Sequence, residues 1–278
     1  MPADAQSKDL DYYALVKLAN EGDLAAFRKA LGSNPGLAKV KDERGATLLF
    51  LVDRKEAVSL LLENGIDVNV QSDNGETILH RISYQISSNE ELMSFLISKG
   101  AKIDIFDSEG ATPLHNAAGH HLAMVKLLLE NGADVNAKKD GRECCGTPLH
   151  KAAKTGTPDI VDYLIQKGAQ VNAIDGRGQT PLFQTTTRIS DSSKDIEVAE
   201  LLIKKGANVN AKDGEGYTAL HLTAQAPHTG VGRKLCQLFV KSGANVNAKG
   251  NDGETALTIA KNSGNTELCN LLIRLGAK

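Results

Sequence analysis

Residues 110–115 read GATPLH, and residues 132–137 of the same stretch read GADVNA. The first phrase returns as GETILH at 75–80, as GTPLH at 146–150 and as GYTALH at 216–221. Weaker copies begin at Thr47, Thr180 and Thr255. Six steps separate Thr47 from Thr255, a mean period of about 35 residues, which is typical of a repeat architecture.

The residue types in each phrase predict local structure. A Thr at a helix start offers an N-cap oxygen to unpaired amides, and Pro suits the next position, where no N–H is needed. Apolar triplets at 60–62, 127–129 and 201–203 indicate the buried stripe of a second helix. The Gly that follows each triplet suits the left-handed residue that ends a helix, and the Asp/Asn-rich stretch after it has turn chemistry. We predict units of helix, helix and projecting turn.

These phrases resemble the ankyrin repeat, whose pattern runs Gly-x-Thr-Pro-Leu-His and then Gly-Ala-Asp-Val-Asn-Ala. Copies match over residues 42–278, and residues 12–41 resemble a degenerate first unit. The resemblance implies an all-α ankyrin-repeat solenoid with about seven full repeats, a degenerate N-terminal cap repeat and projecting β-turn or hairpin loops. It also implies a concave face lined by turns and first helices, with the second helices on the convex face.

The same pattern sets the expected domain organisation. We expect a flexible N-terminus at 1–10 and a single ankyrin-repeat domain at 11–278, because units of this size bury their apolar faces only against their neighbours. The first full unit is short between Phe50 and Glu56, and insertions near 188–194 and 226–232 lengthen two others. The expected units span approximately 11–41, 42–72, 73–106, 107–138, 139–174, 175–212, 213–249 and 250–278.

Composition narrows the classes of partner and location. The formal net charge is −2, so nothing favours nucleic acid or an anionic membrane as a default partner. Four cysteines show no disulfide spacing, which fits a reducing compartment. Residues 1–10 lack the apolar stretch of a secretory signal, and no run is long enough to cross a membrane. We expect an intracellular, cytoplasmic protein without membrane insertion.

Candidate chemistry within the repeats has a structural explanation. The recurring histidines His80, His115, His150 and His221 would lie roughly 8–10 Å apart in stacked helical units, too far to share a metal. We expect each of these histidine rings to hydrogen-bond the backbone near its Thr instead, which explains why one histidine recurs in each repeat. Residues 141–147, GRECCGT, lack the Lys of a phosphate-binding loop. No catalytic constellation stands apart from the repeats, so we expect no enzyme activity, cofactor or metal.

The predicted function is therefore non-catalytic binding of a protein partner, as a scaffold or adaptor, on the face formed by turns and first helices. Basic residues gather in the middle of the chain and favour an acidic partner segment, and a few aromatic residues are candidate anchors. The candidate partner-binding residues are Tyr84, Phe106, Lys138, Lys139, Arg142, Lys151, Lys154, Arg177, Arg188 and Tyr217.

Several alternatives stay open from the sequence. The chain could act as a host-directed bacterial effector or a regulatory inhibitor through the same binding mode, or as a ligand-dependent enzyme with its site in the insertions. Self-association through the terminal unit is a further alternative to the expected monomer. The Asn of each Val-Asn pair resembles the positions of ankyrin repeats that are substrates of an asparaginyl hydroxylase. The alternative is that this Asn only forms the turn. The candidate positions are Asn136, Asn172, Asn210 and Asn247.

Overall fold

The structure, a computed structural model, describes residues 3–85, 89–138, 146–187, 193–225 and 230–278, with side chains from residue 12 onward. It divides into two compact units. Unit 1 comprises Met1–Leu114 and Lys126–Ala133, and unit 2 comprises His115–Val125 and Asp134–Lys278. All regular elements in the described ranges are helices, as the sequence pattern predicts. The predicted domain and repeat boundaries stay a prediction.

Unit 1 is built from pairs of short helices that pack in two rows. One row contains α1, α3 and α5, and the other contains α2, α4 and α6. A short 3-10 helix at Pro35–Lys39 follows α2. The helices span Ala3–Glu21 (α1), Leu24–Ser33 (α2), Leu48–Leu51 (α3), Lys55–Glu63 (α4), Ile78–Tyr84 (α5) and Glu90–Ser98 (α6).

Next along the chain are α7 (Pro113–Ala117) and α8 (Leu122–Glu130), followed by four helix pairs in unit 2. There, first helices pack on first helices (α9, α11, α13, α15), and second helices pack on second helices (α10, α12, α14, α16). Each apolar face is thereby covered by the next repeat. The spans are Pro148–Thr155 (α9), Pro158–Gln166 (α10), Pro181–Gln184 (α11), Ser193–Lys204 (α12), Ala219–Gln225 (α13), Gly230–Lys241 (α14), Ala256–Asn262 (α15) and Thr266–Arg274 (α16).

The threonines stand at the starts of first helices, as predicted, and the histidine three positions later takes part in the cap. Nδ1 of His150 accepts the backbone N–H of Thr147 at 3.0 Å, so this ring nitrogen carries no proton. The Thr147 hydroxyl also lies 3.0 Å from Nδ1 and therefore donates to it. In a repeat without the histidine, the hydroxyl of Thr255 accepts from the amide of Thr258. The predicted N-cap role of the threonine therefore takes the form of a reciprocal capping box with the histidine at Thr77 and Thr147.

The histidine rings also join neighbouring repeats. With Nδ1 unprotonated, Nε2 is the donor, and Nε2 of His150 lies 2.9 Å from the carbonyl oxygen of Gln179 in the next repeat. The corresponding distances are 3.1 Å from His80 to Ala111 and 3.3 Å from His221 to Glu254. The prediction that these rings bond the backbone near their threonines is confirmed at His80, His150 and His221.

Second helices end as the glycine spacing predicts. Gly168 follows the last residues of α10 with a φ of +95°, and Gly206 follows α12 with a φ of +97°. Only glycine adopts this left-handed conformation without a steric cost from a Cβ atom. The amides of Gly168 and Ala169 then bond back to carbonyls of α10. Each glycine therefore turns the chain out of the helix and into the projecting turn.

Departures from regularity fall where the sequence differs in length. The helix α3 has only four residues, which confirms the predicted clipped helix after Phe50. The side chain of Asn20 compensates by bonding the carbonyl of Leu51 and the amide of Asp53. The insertions predicted between helices instead lengthen the helices in part, because α12 and α14 have 12 residues whereas α10 has nine. Residues 188–192 and 226–229 of these insertions lie outside the described residues.

Candidate protein-binding surface

The projecting turns are built by an Asp at their base. The Oδ1 atom of Asp175 accepts from the amides of Arg177 and Gln179, each at 2.9 Å, and the Asp175 amide donates to the Gln179 carbonyl. Asp107 and Asp213 hold their own turns in the same way. A carboxylate that accepts hydrogen bonds from two backbone amides organises a turn without any strand. These loops therefore project as β-turns.

Neighbouring turns within each unit are joined by backbone hydrogen bonds. In unit 1 the amide of Ser108 donates to the carbonyl of Asn74 at 2.8 Å, and in unit 2 the amide of Gly214 donates to the carbonyl of Arg177 at 2.9 Å. The turns are therefore fixed relative to their neighbours, and side chains on adjacent turns form a preorganised surface. Preorganisation lowers the entropic cost of binding a partner.

The asparagines of the Val-Asn pairs bridge repeats, which differs from the turn-forming role read from the sequence. The side chain of Asn172 donates to the carbonyl of Gly206 at 3.0 Å and accepts from the amide of Asn208 at 2.8 Å. The other three candidates make the same two-bond bridge to the next repeat. The turn-forming bond comes instead from the residue two positions earlier, such as Asp134 for Asn136 or Asn208 for Asn210.

Unit 2 carries four of the predicted basic residues in its described part. Lys151 and Lys154 are exposed and lie three positions apart on α9, so they share one helix face. Arg177 is exposed at the tip of the following turn. Lys138 is half-buried and donates from Nζ to the carbonyl of Ile174 at 2.6 Å. Lys139, Arg142 and Arg188 lie outside the described residues.

An exposed apolar side chain stands beside these cations and was missed by our sequence reasoning. Ile174 is 54% exposed, although it directly precedes the buried Asp175. Comparison of the repeats contained the signal, since the equivalent positions hold Lys138, Lys212 and Lys249. An exposed aliphatic residue among charges is a feature of interaction surfaces.

The side chain of Tyr217 makes contacts within the stacked repeats. Its ring stacks on the ring of His221 with centroids 5.2 Å apart, and its hydroxyl donates to the carboxylate of Asp252 on the next turn. This bond raises the pKa of Tyr217 to about 12, because ionisation would place two anions side by side. Tyr217 thus joins two turns, and its part in partner binding stays a prediction.

The remaining two candidates, Tyr84 and Phe106, belong to unit 1. Tyr84 ends α5 and is 49% exposed, and partial burial raises the pKa of its hydroxyl. Phe106 is half-buried in the turn before Asp107. Tyr84 is thus available at a surface, as a binding anchor requires.

Burial of three of the recurring histidines disfavours their charged form. Burial lowers the pKa of His80, His150 and His221, and the backbone bonds of each ring oppose this effect only in part. Within the described ranges, no three His, Cys, Asp or Glu side chains are grouped as a metal site. Cys236 is buried and Cys269 is half-buried, and both are free thiols.

Pairs of antiparallel helices that stack through recurring histidines and asparagines, with turns projecting from one end, define a helical repeat protein. A family model for ankyrin repeats matches residues 52–139, 139–213 and 187–278. The chain belongs to the ankyrin-repeat family. Ankyrin repeats mediate protein–protein interaction and are typically non-catalytic.

Related proteins share the repeats within longer chains. A protein of Arabidopsis thaliana named as an E3 ubiquitin-protein ligase, XBAT35, is 37% identical over 114 residues, which are 40% of this chain and 24% of the relative. Inversin of Canis lupus familiaris is 34% identical over 171 residues, 59% of this chain and 15% of the relative. Human ankyrin repeat and SOCS box protein 16 is 31% identical over 168 residues, 56% and 36% of the two chains. The chain thus spans less than two fifths of each relative.

Among the helices of the described residues, none is both long enough and apolar enough to cross a bilayer.

Proposed function

We propose that this chain is a non-catalytic adaptor or scaffold module that binds an acidic segment of a protein partner through unit 2. The contact surface comprises the exposed face of α9 and the turn that contains Ile174 and Arg177. The observation that carries the proposal is the exposed Ile174 side chain, whose carbonyl is bound by Lys138 and whose turn also carries the exposed Arg177.

The expected contact combines an apolar anchor with charge attraction. An aliphatic side chain of the partner would cover Ile174, while its carboxylates pair with Lys151, Lys154 and Arg177. Rim charges of this kind set the association rate and the choice of partner more than the affinity. Lys138 contributes by holding the carbonyl of Ile174, which keeps the anchor in place. Arg142 and Lys139, predicted for the same surface, remain candidates for it.

The test is capture of partners from a native lysate by the wild-type chain and by a Lys151→Glu/Arg177→Glu variant. A matched control reverses Lys204, an exposed residue at the end of the second helix α12, to Glu. A partner lost with the double variant and kept with the Lys204→Glu control supports the proposal. Identical captures by all three chains would remove this surface as the binding site.

A second experiment separates the apolar anchor from the charges. The variant Ile174→Ser should weaken capture of the same partner even at high salt, where exposed charges are screened. The charge-reversed variant should differ from the wild type mainly at low salt. If Ile174→Ser leaves capture unchanged at every ionic strength, the apolar half of the proposal is wrong.

The proposed binding surface is compatible with more specific roles for the protein. An effector or regulatory inhibitor would use the same surface, and the captured partner would distinguish these roles. Hydroxylation at Asn136, Asn172, Asn210 or Asn247 is also proposed, with an added oxygen in the intact mass as its test. The cysteine usage supports a cytoplasmic location.

A further inference from the structure

A second surface lies in unit 2, on the side formed by the second helices. A groove of about 450 Å³ runs between α14 and α16. Its walls carry the cations Arg233, Lys234 and Arg274, against the single carboxylate of Glu267. Gln237 and Asn270 line the middle of the groove, and the buried Leu271 lies beneath them.

The charges of this groove are unbalanced even after its internal ion pair is counted. Arg233 pairs with Glu267, so these two charges compensate each other. Lys234 and Arg274 are both exposed, and they leave the groove with a positive excess. A groove on the second helices of unit 1 differs, because there Arg28 and Lys55 face Glu56 and Glu63 in equal number. The positive excess thus distinguishes the groove at α14 and α16 from the groove in unit 1.

The positive charges stand at the two ends of the groove. The contact between Arg233 and Glu267 aligns the start of α14 with the start of α16. Arg274 lies seven residues beyond Glu267, so it is about 10 Å further along the helix axis at 1.5 Å per residue. The two ends are thus cationic, and the amide side chains of Gln237 and Asn270 lie between them. A single small anion is too short to contact both ends.

We propose that this groove binds an acidic α-helical segment of a partner protein. Residues seven apart on a helix share one face and are about 10 Å apart, which matches the offset along the groove axis between the level of the Arg233–Glu267 contact, next to Lys234, and Arg274. The aliphatic stems of the cationic side chains provide apolar contact with such a helix. This surface is separate from the α9 face and the turn of Ile174.

The probe for this proposal is a synthetic helical peptide with Glu at positions i and i+7 and otherwise neutral residues. Binding is measured by fluorescence anisotropy at low salt, with the protein carrying Lys151→Glu/Arg177→Glu so that the other basic surface does not contribute. The expected result is saturable binding that Lys234→Glu/Arg274→Glu weakens by about tenfold or more. The control Lys204→Glu should leave the affinity unchanged, and circular dichroism verifies that every variant is folded.

A second peptide tests the spacing directly. Moving one Glu from i+7 to i+5 turns it to another face of the helix at constant charge. A loss of affinity with this peptide supports the proposed register, whereas equal affinity for both peptides would reduce the interaction to unspecific attraction and overturn it. Undiminished binding to the Lys234→Glu/Arg274→Glu chain would also overturn it. Neither outcome bears on the proposed binding through Ile174, because that surface is already disabled in these proteins.

Discussion

The hydroxyl of Thr147 lies 3.0 Å from Nδ1 of His150, and this bond closes the start of α9. One repeat later the equivalent residues are Thr180 and Phe183, and the Thr180 hydroxyl is buried with no hydrogen-bond partner. The same combination occurs at Thr47 and Phe50. The replacement of the histidine by Phe therefore leaves a buried hydroxyl unpaired in two repeats.

The first prediction compares the two threonines with an isosteric substitution. We expect Thr147→Val to lower the free energy of unfolding by about 1 kcal/mol, because it removes a hydrogen bond to a buried ring. Thr180→Val should be neutral or stabilising, since its hydroxyl is desolvated without a partner. Urea unfolding of both variants and the wild type measures the difference. Equal destabilisation by the two substitutions would contradict the role assigned to the histidine.

The second prediction concerns pH. Burial holds the pKa of His80, His150 and His221 below the ordinary value of 6.5, so the unfolded chain binds protons first as the pH falls. Stability is therefore fully present above about pH 7 and is lost as the pH falls through 6.5. Denaturant midpoints between pH 5 and 8 should show this decline. The variant His150→Phe should show a shallower slope, and an unchanged slope would count against burial of the neutral ring.

The third prediction concerns the asparagine bridges. Asn172→Ala removes both bonds to the next repeat and should cost about 1–2 kcal/mol of unfolding free energy. The substitution Gln166→Ala is the control, because this exposed side chain bonds only to Asp162 in its own helix among the bonds described. Thermal unfolding compares the two. A loss no larger than that of Gln166→Ala would mean that water replaces the bridge at little cost.

The fourth prediction concerns the phenol of Tyr217. Its bond to Asp252 raises its pKa to about 12, so it should ionise well after a free tyrosine, whose pKa is 10. Asp252→Asn should bring the ionisation back toward 10, because the neighbouring anion is removed. Ultraviolet titration of the wild type, Asp252→Asn and Tyr217→Phe resolves this one phenol. A curve that is identical for the wild type and Asp252→Asn would exclude the bond in solution.

The local structure of the chain followed directly from its sequence. Helix starts at Thr147, Thr180 and Thr255, the glycines that end second helices and the clipped helix after Phe50 all depend on residues close in sequence. Propensities, left-handed glycines and loop lengths act over a few positions, so the repeat pattern determined them. The family resemblance rested on the same local phrases.

The contacts between repeats depended on tertiary structure. Asn172 bonds Gly206 and Asn208, more than thirty residues away. Because these partners are distant in sequence, the local sequence pattern predicted only a turn-forming role for this side chain. The exposure of Ile174 and the engagement of Tyr217 likewise depend on the adjacent repeat.

The sequence by itself determined the family, the helix pairs and the location of the basic residues. Only the tertiary structure decided which of their side chains bridge repeats and which face solvent, because stacking brings distant residues within hydrogen-bond distance. The positive groove between α14 and α16 shows the same limit. Neither helix alone indicates a binding site. The excess of positive charge and the spacing of the cations arise only because the two helices lie side by side.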